Sequence, residues 1–237
     1  MAPGFLWSAA LRNFVFPPSC YCCGTLLDHH RGLLCPGCQA RVRPVTPSDP
    51  LFILARSRLC SDDVCTGLVA LYHFASGGPV QDLLHALKYG GLTGVGRELG
   101  SRLGVAAMET PWLHEVDLII PLPLYRSKQR ERGYNQAESI ARGIAGVVRK
   151  PVWPRAVRRT RWTDSQTTLG YTARQMNVQG AFMVPPSKIG SLRGKRVLLV
   201  DDVLTTGATT RACAAALRVG RADAVYVAAV ALAEQLP

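Results

Sequence analysis

The stretch VLLVDDVLTTGATT, residues 197–210, decides how the chain folds. Val197 to Val200 is a continuous run of valine and leucine ended by two aspartates, the pattern of a fully buried strand in a parallel sheet. Ala212, Ala215, Ala216 and Val219 then recur at helical spacing between Ala208 and Val219. Residues 205–209 are therefore read as a strand-to-helix turn at the carboxyl end of a strand, where open α/β sheets take their ligands. Gly207 admits backbone conformations closed to other residues and lets a ligand approach closely. Amide groups at the helix start, with the threonine hydroxyls, favour a phosphate. Asp201 and Asp202 carry the wrong sign for that phosphate and suit hydroxyl groups or a magnesium ion. A phosphate turn beside carboxylates that hold a diol describes a ribose 5-phosphate. No Gly-Lys-Ser/Thr follows, so this is not a Walker A loop.

Other segments extend the pattern. GLVALYHF (67–74) and AVYVAAVALA (224–233) read as strands, and VDLIIPLPL (116–124) as a strand stopped by its prolines. Val80, Leu83, Leu84 and Leu87 fall at helical spacing before Gly90 and Gly91. Thr93 to Met108 predicts a helix weakened by its glycines. Asn135 and Glu138 form a capping-box-like pair at the start of another helix. Strands alternating with helices imply an α/β fold with a parallel sheet.

Of the eight cysteines, Cys20-x2-Cys23-Gly24 and Cys35-x2-Cys38 form two knuckles. Each can present two thiolates to one ion, and together they predict a structural zinc with four sulfur ligands in a small N-terminal module. Cys22 is an alternative to Cys20; His29 and His30 are read as bystanders, and Cys60, Cys65 and Cys213 as buried thiols. VRPVTPSDP (42–50) has linker composition. The predicted organisation is an N-terminal segment and zinc module over 1–44, a linker over 45–66 and an α/β domain over 67–237. Residues 1–20 contain an apolar patch, read as an amphipathic helix, but no secretory signal. No apolar run is long enough to span a membrane, so a cytoplasmic location without membrane insertion is expected.

The formal charge of +12 is concentrated: residues 126–161 hold eleven basic side chains against Glu131 and Glu138. Such clustering predicts an anionic partner, either a polyphosphate or nucleic acid. Arg126, Lys128, Arg130 and Arg132 lie in a loop that follows a strand, an anion site suited to pyrophosphate. RRTRWTDSQTTLGYTARQMNVQGAF (158–182) mixes Arg158, Arg159, Arg161 and Arg174 with Trp162, Tyr171 and Gln166. That mixture suits a mobile hood over a site, or a contact to single-stranded nucleic acid.

The 197–210 stretch resembles the phosphoribosyl pyrophosphate (PRPP) motif of type I phosphoribosyltransferases. Together with the cysteine knuckles, LHALKYGG, PLPLYRSKQRERGYNQAE and the 158–182 segment, it makes the chain similar to the ComF-type competence proteins over nearly its whole length. The resemblance implies a type I phosphoribosyltransferase fold behind a zinc ribbon, a role in DNA uptake during natural transformation, and binding of PRPP, with magnesium, and of single-stranded DNA. It implies that Asp201 and Asp202 hold the ribose hydroxyls or magnesium, and that Thr205, Thr206, Gly207, Ala208 and Thr209 hold the 5-phosphate. Tyr125 and Arg126 would begin the pyrophosphate loop, with Lys128 and Arg132 in it. Arg158, Arg159, Arg161 and Arg174 would contact DNA, and other competence proteins would be partners. Thr205 stands where purine-salvage relatives carry a base-handling acid, so the resemblance names no acceptor. No nucleophilic cysteine stands near the start, which argues against amide transfer from glutamine. The alternatives are a metabolic phosphoribosyltransferase with a small acceptor, and a nucleic-acid-binding protein whose site has decayed. The intact aspartates and Thr-Thr-Gly argue against decay, and the clustered charge against a purely metabolic role.

Overall fold

A computed structural model describes residues 17–27, 32–161 and 180–233. Chain order is α1 (Pro36–Gln39), α2 (Pro50–Cys60), β1 (Gly67–Phe74), α3 (Pro79–Tyr89), α4 (Thr93–Met108), β2 (Leu118–Pro121), α5 (Arg126–Arg132), α6 (Gln136–Val148), β3 (Arg158–Arg159), β4 (Phe182–Met183), α7 (Pro186–Leu192), β5 (Arg196–Leu204), α8 (Ala208–Val219) and β6 (Ala224–Ala233). The main sheet is parallel, in the order β1-β6-β5-β2, and β3 pairs antiparallel with β4. The expected N-terminal helix and His29, His30, Trp162, Gln166, Tyr171 and Arg174 lie outside the described residues.

Helices cover both faces of the sheet, which is why its strands read as unbroken apolar runs. On one face Leu84, Leu87, Leu99, Leu103, Ile140 and Ile144 from α3, α4 and α6 pack on Ile119, Leu198 and Val200. On the other, Leu59, Leu192, Cys213 and Leu217 pack on Ile120, Val197, Leu199 and Val227. Burying one such leucine or isoleucine contributes roughly 2 kcal/mol.

The connections create the site. The chain leaves β2 through α6 and returns at Val152, which bridges Ile119 in parallel on the outer edge. It leaves β5 through α8 and returns as β6 on the opposite side. Connections from two neighbouring strands thus diverge, and the crevice outside their carboxyl ends is a topological switch point.

Three segments differ from the sequence expectations. β5 does not stop at Val200; pairing with β6 continues through Asp201↔Ala229 to Leu204↔Leu232, so both aspartates belong to the strand. Arg126–Arg132 is helix α5, not a loop, because its Arg, Lys, Gln and Glu residues are good helix formers and Gly133 ends it. Residues 45–66 contain α2, held to the edge of β1: Val45 N–H donates to Leu71 O at 2.8 Å, and Asp49 both caps α2 through Leu51 N–H and meets His73 Nε2 at 2.6 Å. The Asn135 cap forms, accepting from Ala137 N–H, but Glu138 pairs with Arg142 instead of closing a capping box.

Candidate functional site

Both aspartates sit at the switch point, in different environments. Asp201 is 9 % exposed, and its oxygens accept from Asp202 N–H at 2.8 Å and from the Thr210 hydroxyl at 2.9 Å. Burial, then the neighbouring Asp202 charge, push its carboxyl up to about 7. Burial also works to raise Asp202, but the Lys88 ammonium 3.1 Å away, with hydrogen bonds from Asp201 and Val203 N–H, holds it below the ordinary carboxylate value. The pair therefore divides its work. Asp201 ties the strand end to α8, while Asp202 is engaged by the Lys88 ammonium of α3. Lys88 lies in the last turn of α3 and was not singled out in the sequence; the clue available was its place in LHALKYGG, directly after the core residue Leu87.

The turn after β5 has the predicted form. Gly207 is left-handed at φ +73 and caps α8, and the Thr206 hydroxyl accepts from Ala208 N–H at 3.2 Å. Thr205 is exposed, Thr209 half-buried, and Thr206 and Ala208 are buried. Support for the turn comes from residues expected to be a linker. Leu59 packs under Gly207, where a Cβ would come within 2.9 Å of its Cδ2. Arg211, one turn into α8, donates to Arg58 O at 2.9 Å and to Ser61 O at 3.1 Å, and pairs with Asp62. Gly207→Val should accordingly lose about 3 kcal/mol of stability from the left-handed backbone and the Leu59 overlap, before any ligand is considered. Thermal unfolding of the ligand-free protein measures it, and an unchanged midpoint would contradict this packing.

Across the crevice stand α5 and the start of α6. Arg132 Nη1 donates to Gln136 Oε1 at 2.9 Å, while Arg132 Nε and Gln136 Nε2 are buried without hydrogen-bond partners. Two neighbouring N–H donors in this state call for an acceptor, and an anionic oxygen satisfies both. Gln136, 2 % exposed, is a second residue that sequence reading missed. The Tyr134 hydroxyl donates to Leu87 O, joining this wall to α3. Tyr125 caps α5 and Arg126 begins it, with Lys128 two residues further on. Arg158 and Arg159 lie on β3, where the Arg159 guanidinium is 5.5 Å from the Phe182 ring centre, and Arg161 is exposed just beyond.

The cysteine module sits against α3 on its outer side. The Sγ atoms of Cys20, Cys23, Cys35 and Cys38 all lie within 4.8 Å of one another. Four sulfurs about 2.3 Å from one tetrahedral ion would be about 3.8 Å apart, and Cys23 and Cys35 stand at 3.6 Å. The donor set fits a metal of zinc's preferences. Gly24, at φ +75, turns the first knuckle so that its N–H reaches Cys20 O at 2.9 Å, and Pro36 opens α1 under the second. Cys22 is outside the set; its thiol faces Asp82 of α3, which raises its pKa. Cys20, Leu33, Leu34 and Cys38 share a core with Leu83, Leu84 and Leu87, so α3 is a common wall of module and crevice.

Comparison with known proteins agrees with this architecture. The family model described as the phosphoribosyl transferase domain matches residues 131–235. Competence protein F of Haemophilus influenzae is 28 % identical over 218 residues, 88 % of this chain and 93 % of that protein. DNA utilization protein YhgH of Escherichia coli K12 is 30 % identical over 152 residues, 63 % of this chain and 65 % of that protein. Among solved structures, the glutamine PRPP amidotransferase from B. subtilis aligns at a TM-score of 0.38 and 23 % identity, over 56 % of this chain and 25 % of its own. Parallel sheet, switch-point crevice and Asp-Asp/Thr-Thr-Gly strand end define a phosphoribosyltransferase-fold protein carrying a four-cysteine module. These matches support a ComF-type family for the chain. Among the described residues, no helix is long and apolar enough to cross a membrane.

Proposed function

We propose that the protein handles single-stranded DNA during natural transformation, and that its phosphoribosyltransferase domain binds PRPP with magnesium. The names of its relatives support the DNA role. The PRPP reading is carried by one observation: a Lys88-paired carboxylate and a left-handed glycine turn lie at the end of one strand, and two orphaned N–H donors follow its neighbour on a wall that Tyr134 ties to the Lys88 helix. In this reading Asp202 holds the ribose hydroxyls or a magnesium ion, for which Lys88 now stands in. Asp201 positions it, and residues 205–209 take the 5-phosphate. Arg132 and Gln136, with Tyr125, Arg126 and Lys128 nearby, take the pyrophosphate. When bound, magnesium would neutralise pyrophosphate oxygens. The four cysteines hold a structural zinc, and Arg158, Arg159, Arg161 and Arg174 contact the DNA. The protein works in the cytoplasm, alongside other competence proteins.

Calorimetric titration with PRPP and magnesium tests the central claim. Wild type should bind, and Asp202→Asn should bind about ten- to a hundredfold more weakly with an unchanged circular dichroism spectrum, because a charge-assisted contact is lost. Affinity should also fall as pH drops from 8 to 6. With Asp201 at about 7, lowering the pH through that value removes a negative charge beside Asp202 and so weakens the attraction for magnesium. Asp201→Asn should flatten the profile. No binding to wild type at millimolar PRPP would overturn the reading.

A further inference from the structure

The last turn of α3 carries an aromatic pair that the PRPP reading does not use, beside Arg132, which it does. Tyr89 is 61 % exposed although the helix devotes Val80, Leu83, Leu84 and Leu87 to the core. Its ring stacks obliquely on His85, one turn earlier and also exposed, with centroids 4.7 Å apart at 42°. On the neighbouring wall, the Arg132 guanidinium lies 5.8 Å from the Tyr89 ring centre. Arg132 ends α5, whose seven residues include four cations and one acid.

We propose that His85 and Tyr89, flanked by Arg132, form a stacking platform for an unpaired base of single-stranded DNA, whose phosphates run along α5. The inference rests on the DNA-handling reading above and adds to it the place where bases are held. Two aromatic rings and a guanidinium present flat polarisable faces, and every base has a matching π-face. The basic helix beside them supplies the charge complementarity that an apolar partner would lack. In a duplex the bases are stacked on one another and closed to such a platform, so single strands are preferred.

Fluorescence anisotropy on the full chain tests this with two labelled strands of equal length, an oligothymidine and an abasic strand with the same backbone. Tyr89→Ala should weaken binding of oligothymidine about 5- to 150-fold, the range for losing one stacked base. It should leave the abasic strand and the salt dependence unchanged, because no phosphate contact is removed. Tyr89→Phe should bind like wild type. PRPP titration of Tyr89→Ala should match wild type. Equal binding of oligothymidine by Tyr89→Ala and wild type would overturn the platform alone. So would a parallel loss on the abasic strand, or a matching loss of PRPP affinity, either of which would make Tyr89 a support for its surroundings. Failure of wild type to bind oligothymidine at low salt would overturn the DNA reading and the platform together, leaving the PRPP titration to stand or fall separately.

Discussion

Gly100→Val is expected to abolish cooperative folding, while Gly146→Ala, in the partner helix, is expected to stabilise the protein. Gly96, Gly100 and Gly104 line one side of α4 and meet Ser139, Gly143 and Val147 of α6. A Cβ at Gly100 would overlap the Ile140 carbonyl oxygen, and one at Gly143 the Arg97 carbonyl oxygen. Both obstacles are backbone, so neither can swing aside. Valine at this crossing would force the helices apart and strip Leu99, Leu103, Ile140 and Ile144 of their packing. Overpacking a core ordinarily costs about 1–3 kcal/mol. A backbone collision should exceed roughly 4 kcal/mol, much of the ~5–15 kcal/mol that a domain has in total. Gly146 has nothing within 4 Å of its would-be Cβ, so alanine there should gain close to 1 kcal/mol in helix propensity. Urea unfolding followed by circular dichroism compares the two. A wild-type midpoint for Gly100→Val would show that the helices do not cross on these glycines.

Cys35→Ser/Cys38→Ser is expected to remove all bound metal and to unfold the N-terminal module. Metal analysis of protein purified without added zinc should find close to one equivalent in wild type and none in the double variant. The effect is large because a small module has little core of its own, and structural zinc supplies on the order of 10 kcal/mol in comparable peptides. Cys22→Ser separates the two candidates in the first knuckle: it should retain full metal, since Cys20 and not Cys22 completes the four-sulfur set. Retained metal in the double variant would mean that the ligands are wrong. The module shares a core with α3, so the double variant should also loosen the helix that carries Lys88.

The helices and strands that hold the crevice were legible because each carries its signal locally. Thr93–Met108 and Ala224–Ala233 form over the residues that their patterns mark, and Gly207 is left-handed where the turn requires it. The cluster of four cysteines was legible for the same reason, since knuckle spacing is a property of a few consecutive residues.

What the sequence could not determine depends on contacts between distant segments. The glycines of α4 read as weaknesses; only the crossing with α6 makes them a seam, because their value lies in a neighbour's backbone. Residues 42–50 have linker composition and 45–66 were read as the linker, yet Leu59 and Arg58 brace the turn at Gly207 across some 150 positions. Asp201 and Asp202 are equivalent as letters. Burial beside Thr210 separates one from the other, and a lysine more than a hundred residues earlier sets the charge of the second. Short-range patterning therefore marked most of the strands and helices of the main sheet and the candidate turn at its edge. The tertiary structure decided which of them face one another, because burial and electrostatic coupling depend on proximity in space rather than along the chain.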